Sequence, residues 1–177
     1  MHEMRPIWMS DNRYDMISKR IRSSYPNACI LYIDEVINDE LLQAYLQKKE
    51  SIASTHGTVS EQQLFHGTKE EIIPLIADNG FDPTKNIRGV YGYGVYFAKN
   101  ASYSSGYMTA NKNGEPSFMF LADVLVGNTI TRGSAEQVKT LNYDNNVDNL
   151  ISPTIYTTVH DDGAYPRYII AFHKEAR

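Results

Sequence analysis

The chain divides by the period of its apolar residues. Tyr14, Ile17 and Ile21 recur at helical spacing and Pro26 ends the segment, after which Cys29 to Ile37 is β-branched and apolar enough for a buried strand. A helix follows from Glu40 to about Ser51, with Asn38 or Asp39 to accept its first N–H groups and Leu42, Tyr45 and Leu46 on one face. Gln63-Leu64-Phe65-His66 reads as strand. Gly67-Thr68 then turns the chain into a second helical pattern, with Thr68 and Glu71 as a capping box, Ile72 and Ile76 four apart, and Asn79-Gly80 as the stop. Pro74 interrupts that pattern and predicts a kink.

Beyond a loop rich in Pro, Lys, Asn and Arg comes Gly92-Tyr93-Gly94-Val95-Tyr96-Phe97-Ala98, then a short helix with Asn100 as its cap. Phe118, Phe120, Ala122 and Val124 alternate with Met119, Leu121 and Leu125, the pattern of a strand buried on both faces, and Gly127-Asn128 turns it. Lys139 to Asn149 reads as loop. Two strands near Thr154 to Val159 and Tyr168 to Phe172 close the chain. Strands outnumber helices and cluster after residue 60, which predicts an α+β domain with two mostly antiparallel sheets and flanking helices.

Its 177 residues suffice for one well-cored domain, and no linker or repeat divides them. We expect one domain over 1–177, with the N-terminal helices and first strand in 1–60 and the ligand-binding core in 61–177. A net charge of −4 with interspersed signs gives no cationic field for nonspecific nucleic-acid or membrane binding. No apolar stretch approaches the roughly 20 residues that span a bilayer, and the start has no signal-like apolar region, so an intracellular protein is expected, in cytoplasm or nucleus. The single cysteine, Cys29, lies in an apolar run and is expected to be a buried, inert thiol. His2, His56, His66, His160 and His173 lack metal-ligand spacing, so no metal is expected.

One compositional feature is unusual. The chain has 13 tyrosines against 6 phenylalanines and 1 tryptophan, and Tyr91, Tyr93, Tyr96, Tyr103 and Tyr107 fall within 17 consecutive positions. Most can be sheet-edge packing, and a histidine in a strand is more often a satisfied core residue than a ligand group. The order in which these residues occur argues otherwise for some of them. His66-Gly67-Thr68, then Gly92-x-Gly94-x-Tyr96-Phe97-Ala98, then Ser104-x-x-Tyr107 resembles the catalytic domain of the poly(ADP-ribose) polymerase family, the diphtheria-toxin-like ADP-ribosyltransferases. The likeness extends to Ile33-Asp34-Glu35-Val36 with the helix after it and to Tyr165-Pro166-Arg167-Tyr168-Ile169-Ile170 at the close.

The resemblance implies NAD as co-substrate, with Tyr96 and Tyr107 stacked on the cationic nicotinamide ring, each face contributing about 0.5–1.5 kcal/mol beyond its area. Gly67 through its backbone and Ser104 through its hydroxyl would hold the carboxamide. His66 would bond the ribose 2′-hydroxyl and Thr68 the adenosine ribose, while Gly94 would let backbone approach the cofactor. Ile155 falls where polymerising members carry a glutamate, and an alkyl group cannot give that carboxylate's base-like help to a growing chain. His66, Tyr96 and Ile155 thus imply transfer of one ADP-ribose to an acceptor protein, the chain itself being a candidate, with nucleic-acid acceptors not indicated by charge. An acceptor carboxylate could assist in place of the missing one.

Asp82 stands near a position that is basic in some members, and Tyr93 and Tyr103 stand where polymerising members often have lysines, which fits a weaker or more selective transferase. The 65 residues before His66 are too few for the autoinhibitory helical bundle of DNA-damage-responsive members. The competing readings are a catalytically silent module that binds NAD, ADP-ribose or a protein, and hydrolysis of NAD with water as acceptor.

Overall fold

The computed structural model describes residues 1–85, 89–104 and 115–174. The strands are β1 (Glu3–Pro6), β2 (Ala28–Ile37), β3 (Ser60–Thr68), β4 (Val95–Ala98), β5 (Ser117–Val126), β6 (Thr129–Ile130), β7 (Asn145–Val147), β8 (Ile155–Thr158) and β9 (Ala164–Lys174). The helices are α1 (Asn12–Ser24), α2 (Asp39–His56), α3 (Ile73–Asn79), α4 (Ala101–Ser104) and α5 (Ala135–Thr140). The fold is α+β, as expected.

The expected two sheets are instead two halves of one, in the order β1-β2-β9-β5-β3-β4-β8-β7-β6. They join at a single ladder pair, Phe65 with Ala98, where β3 meets β4. Beyond that pair β4 leaves β3 and runs with β8, so the sheet opens into a cleft at the seam. Every described pairing is antiparallel except that of β6 with β7.

β5 is the central support, buried along nearly its whole length. Phe118, Phe120, Ala122 and Val124 face a core that α3 closes with Ile73, Ile76 and Ala77. Met119 and Leu121 face the opposite core, closed by Ile17 and Ile21 of α1. A third cluster seats Tyr45 and Ile52 of α2 on Leu125 and Tyr165. The period of two that marks a doubly buried strand therefore corresponds to helices on both faces.

Asn38 caps α2 by accepting from the Leu41 N–H, and its amide N–H donates to the Ala77 and Asp78 carbonyls at 3.0 and 3.2 Å. One side chain thereby caps the start of α2 and the end of α3. Pro74 does not kink a helix, because α3 begins at Ile73 and leaves Pro74 in the first turn, where its missing N–H costs nothing. The Thr68–Glu71 capping box does not form. β3 runs on through Thr68, and a short 3-10 turn at Glu70–Ile72 precedes α3.

Three further expectations are corrected. Cys29 is exposed, because α1 covers only the face of β2 that carries Ala28 and Ile33 and leaves Cys29 and Leu31 outside. Leu46 is likewise exposed, and Ile52 takes its place in the core. The predicted loop from Lys139 to Asn149 holds the end of α5 and all of β7.

Candidate active site

A cavity of about 720 Å³ opens at the seam between β3 and β4. His66, Gly67, Tyr96 and Ser104 line it, together with Tyr103 and Asp82. Thr68, Gly94 and Ile155 lie close by in the chain or sheet but do not line it, and Tyr107 lies outside the described residues.

His66 stands on β3 opposite Phe120, with its ring edge-on to Phe81 at 5.2 Å and tilted against Phe97 at 5.5 Å. Nδ1 is 2.7 Å from the Tyr96 carbonyl oxygen. A carbonyl only accepts, so Nδ1 carries the proton and Nε2 of the neutral ring keeps its lone pair. Burial pushes the His66 pKa below its ordinary 6.5, outweighing the Tyr96 carbonyl, which favours the protonated form.

Ser104 is buried, and its hydroxyl donates to the Phe65 carbonyl at 3.0 Å. This leaves the oxygen to act as an acceptor. The same bond shows that the Phe65 carbonyl points toward the seam. Backbone groups two residues apart on a strand point the same way, so the N–H and C=O of Gly67 face the cavity beyond the last β3–β4 pair. A donor, two acceptors and a histidine lone pair thus converge on one space.

Tyr96 lies across from them. Its phenol oxygen accepts from the Tyr91 N–H at 2.8 Å and donates to the Gly92 carbonyl at 2.9 Å, so the ring is fixed by the loop that precedes its own strand. A Cβ on Gly89 would come within 2.0 Å of that oxygen, a contact only glycine permits. Gly94 has φ +125°, and a Cβ there would meet the Thr158 carbonyl at 2.3 Å. Its bare face is therefore occupied by β8 rather than turned to the cavity.

Ile155 is buried on β8, directly opposite Ala98. The acid nearest its backbone is Asp148, whose carboxylate accepts from the Thr154 N–H, the Thr154 hydroxyl and the Ile155 N–H at 2.9, 2.6 and 3.0 Å. That carboxylate is engaged in closing a turn. Asp82, on the cavity wall, accepts from the Thr84 N–H and hydroxyl and sits 3.7 Å from Lys85. Those hydrogen bonds hold its pKa below the usual value.

The outer wall escaped the sequence reading. Leu75, Ile76 and Asn79 of α3 and Phe81 after it form an apolar shelf, with Val90 beside it. The signal available was the helical spacing of Ile72, Leu75, Ile76 and Asn79, which the core alone does not use up, since Leu75 is left exposed. Among the described residues no group of three or more His, Cys, Asp and Glu side chains could hold a metal ion. No described helix is long and apolar enough to cross a membrane.

The α+β sheet is thus split at one seam, with a histidine and a tyrosine on its two lips. Residues 11–163 match the family model described as the poly(ADP-ribose) polymerase catalytic domain, and the chain belongs to that family. It is 32% identical to the human protein mono-ADP-ribosyltransferase PARP14 over 93% of this chain and 10% of that protein. It is 28% identical to human PARP11 over 97% of this chain and 60% of that protein, and 34% identical to mouse PARP10 over 88% and 17%. Both are also named protein mono-ADP-ribosyltransferases. The chain spans from a tenth to three fifths of the length of these relatives.

Proposed function

We propose that residues 1–177 act as one mono-ADP-ribosyltransferase domain that moves a single ADP-ribose from NAD to a protein side chain and releases nicotinamide. The observation that carries this is the convergence of His66, Gly67, Tyr96 and Ser104 on one cavity, with an alkyl group, Ile155, at the third family position. Nicotinamide stacks on Tyr96, and Tyr107 supplies the second face. The Gly67 N–H donates to the carboxamide oxygen, while the Gly67 carbonyl and the Ser104 oxygen accept from its NH₂. His66 Nε2 accepts from a ribose hydroxyl, Thr68 supports the adenosine ribose, and Gly94 keeps β4 close on β8. The adenosine half lies along the α3 shelf.

With both ends held, the reaction is a substitution at the ribose C1″. The C1″–N bond breaks with its electrons going to the ring nitrogen, and nicotinamide leaves uncharged. An acceptor lone pair forms the new bond to C1″. A carboxylate acceptor is already ionised near neutral pH and needs no base, whereas a sugar hydroxyl would. Ile155 offers none, so a chain does not grow. Acidic side chains of intracellular proteins, this one among them, fit that requirement best.

Incubation with NAD followed by mass spectrometry tests the reading: single ADP-ribose adducts are expected on the protein or on lysate proteins. Free ADP-ribose without adducts would mean hydrolysis instead. No NAD consumption, with no thermal stabilisation by NAD, would leave only a silent module.

A further inference from the structure

The loop that fixes Tyr96 is itself held from behind by a side chain with no part in the family motifs. Asn146, on β7, is fully buried. Its Oδ1 accepts from the Gly133 N–H at 2.6 Å and its Nδ2 donates to the Tyr93 carbonyl at 3.0 Å. The Asn146 main-chain N–H donates to the Thr157 hydroxyl at 3.1 Å, and that hydroxyl donates to the same Tyr93 carbonyl at 3.0 Å. The Tyr93 N–H completes the set by donating to the Gly133 carbonyl at 3.2 Å. Both main-chain polar groups of Tyr93 are thus anchored to β7, β8 and the Gly133 turn.

Packing is equally close. Gly92 has φ +110°, and a Cβ there would lie 2.6 Å from the Asn146 amide carbon. The segment Gly89 to Gly94 is therefore held between the Asn146 amide on one side and the Tyr96 phenol on the other. A peptide so confined has no freedom to shift without carrying Tyr96 with it, because the phenol bonds Tyr91 and Gly92 in the middle of the segment. No water can replace partners lost at a fully buried amide without opening the core.

We propose that Asn146, together with the Thr157 hydroxyl, is a positioning residue for NAD, fixing the height and tilt of the Tyr96 ring through the Gly89–Gly94 segment. This rests on the reading of the cavity as the NAD site. Asn146 touches no cofactor atom. It sets the position of the stacking surface before the cofactor arrives, so its loss weakens binding of the ring in ground and transition states alike.

The test uses Asn146→Ala, Thr157→Val and Thr157→Ser in the whole chain, with benzamide as a probe that carries only the ring and carboxamide. Asn146→Ala and Thr157→Val should each raise KM for NAD roughly tenfold with kcat within about twofold, and benzamide affinity should fall by the same factor. Thr157→Ser keeps the hydroxyl and should return KM toward that of the parent. If Asn146→Ala does not fold, the Thr157 pair decides alone. A lowered melting temperature with unchanged KM and benzamide affinity would mean a structural residue and overturn the proposal. Absence of benzamide binding to the parent protein would overturn the NAD reading and this inference with it, whereas full-strength binding to Asn146→Ala overturns this inference alone.

Discussion

Nδ1 of His66 donates to the main-chain carbonyl of Tyr96 across 2.7 Å, so one side chain ties β3 to β4 just where their ladder has only one pair. The bond also fixes the tautomer. Nε2 is available to a ribose hydroxyl only while the ring is neutral. Because burial lowers the pKa below 6.5, kcat/KM should be flat above about pH 6.5 and fall below it, with a midpoint under that of a free histidine. Stability moves the same way: between the lowered folded value and 6.5 the unfolded chain binds more protons, so acid destabilises the fold across that window. A pH profile and acid melts check both, and a midpoint at or above 6.5 would contradict a His66 ring held neutral by burial.

Tyr96→Phe and Tyr96→Ala separate the ring from its hydroxyl. Phenylalanine keeps the stacking face and removes the partner of the Tyr91 N–H and Gly92 carbonyl, part-buried groups whose lost bonds we expect to cost about 1 kcal/mol of stability. NAD affinity should fall about fivefold. Alanine removes the face as well, and affinity should fall well over tenfold. Calorimetry with benzamide ranks the two, and equal losses would mean that the ring does not stack.

Ser104→Ala removes an acceptor from the carboxamide and a donor from the Phe65 carbonyl at once. Each neutral hydrogen bond contributes about 0.5–1.5 kcal/mol, so benzamide binding should weaken roughly fivefold to tenfold while the melting temperature drops by only a few degrees. Ser104→Thr keeps the hydroxyl and should bind more tightly than Ser104→Ala. The reverse order would remove Ser104 from the site.

Much of the fold and of the candidate site is legible in the sequence, and the exceptions share a cause. His66 heads one short motif, Tyr96 and Ser104 fall in others, and β5 declares itself by alternation, because each of these signals is carried by residues a few positions apart. Ala98 and Phe65 meet only through the sheet, so the single seam that merges two expected sheets into one has no local signature. Asn145 and Asn146 read as loop because asparagine is a turn former, yet both are fully buried, and Asn145 spends its amide on the Leu125 and Thr157 carbonyls at 3.0 Å each. Cys29 reads as core because the residues around it are apolar. Burial depends on which face α1 covers, and the sequence of β2 does not contain that information.

Asp148 offers a last distinction, between a residue that replaces the family glutamate and one that merely stands near its place. Burial raises the cost of its charge, but the hydrogen bonds from Thr154 and Ile155 outweigh this and hold its pKa below 3.8. A carboxylate so engaged is no base for an acceptor hydroxyl. Its contribution to stability is present above the unfolded value and is lost as pH falls through the lowered folded one. Asp148→Ala should therefore lower the melting temperature at pH 7, and the difference from the parent should shrink as the pH falls below 3.8. It should leave the product a single ADP-ribose, because the turn it closes positions β8 without touching the acceptor. If Asp148→Ala folded normally yet abolished transfer, with KM for NAD unchanged, Asp148 would be acting on the acceptor and the assignment of Ile155 as an unassisted third position would be wrong.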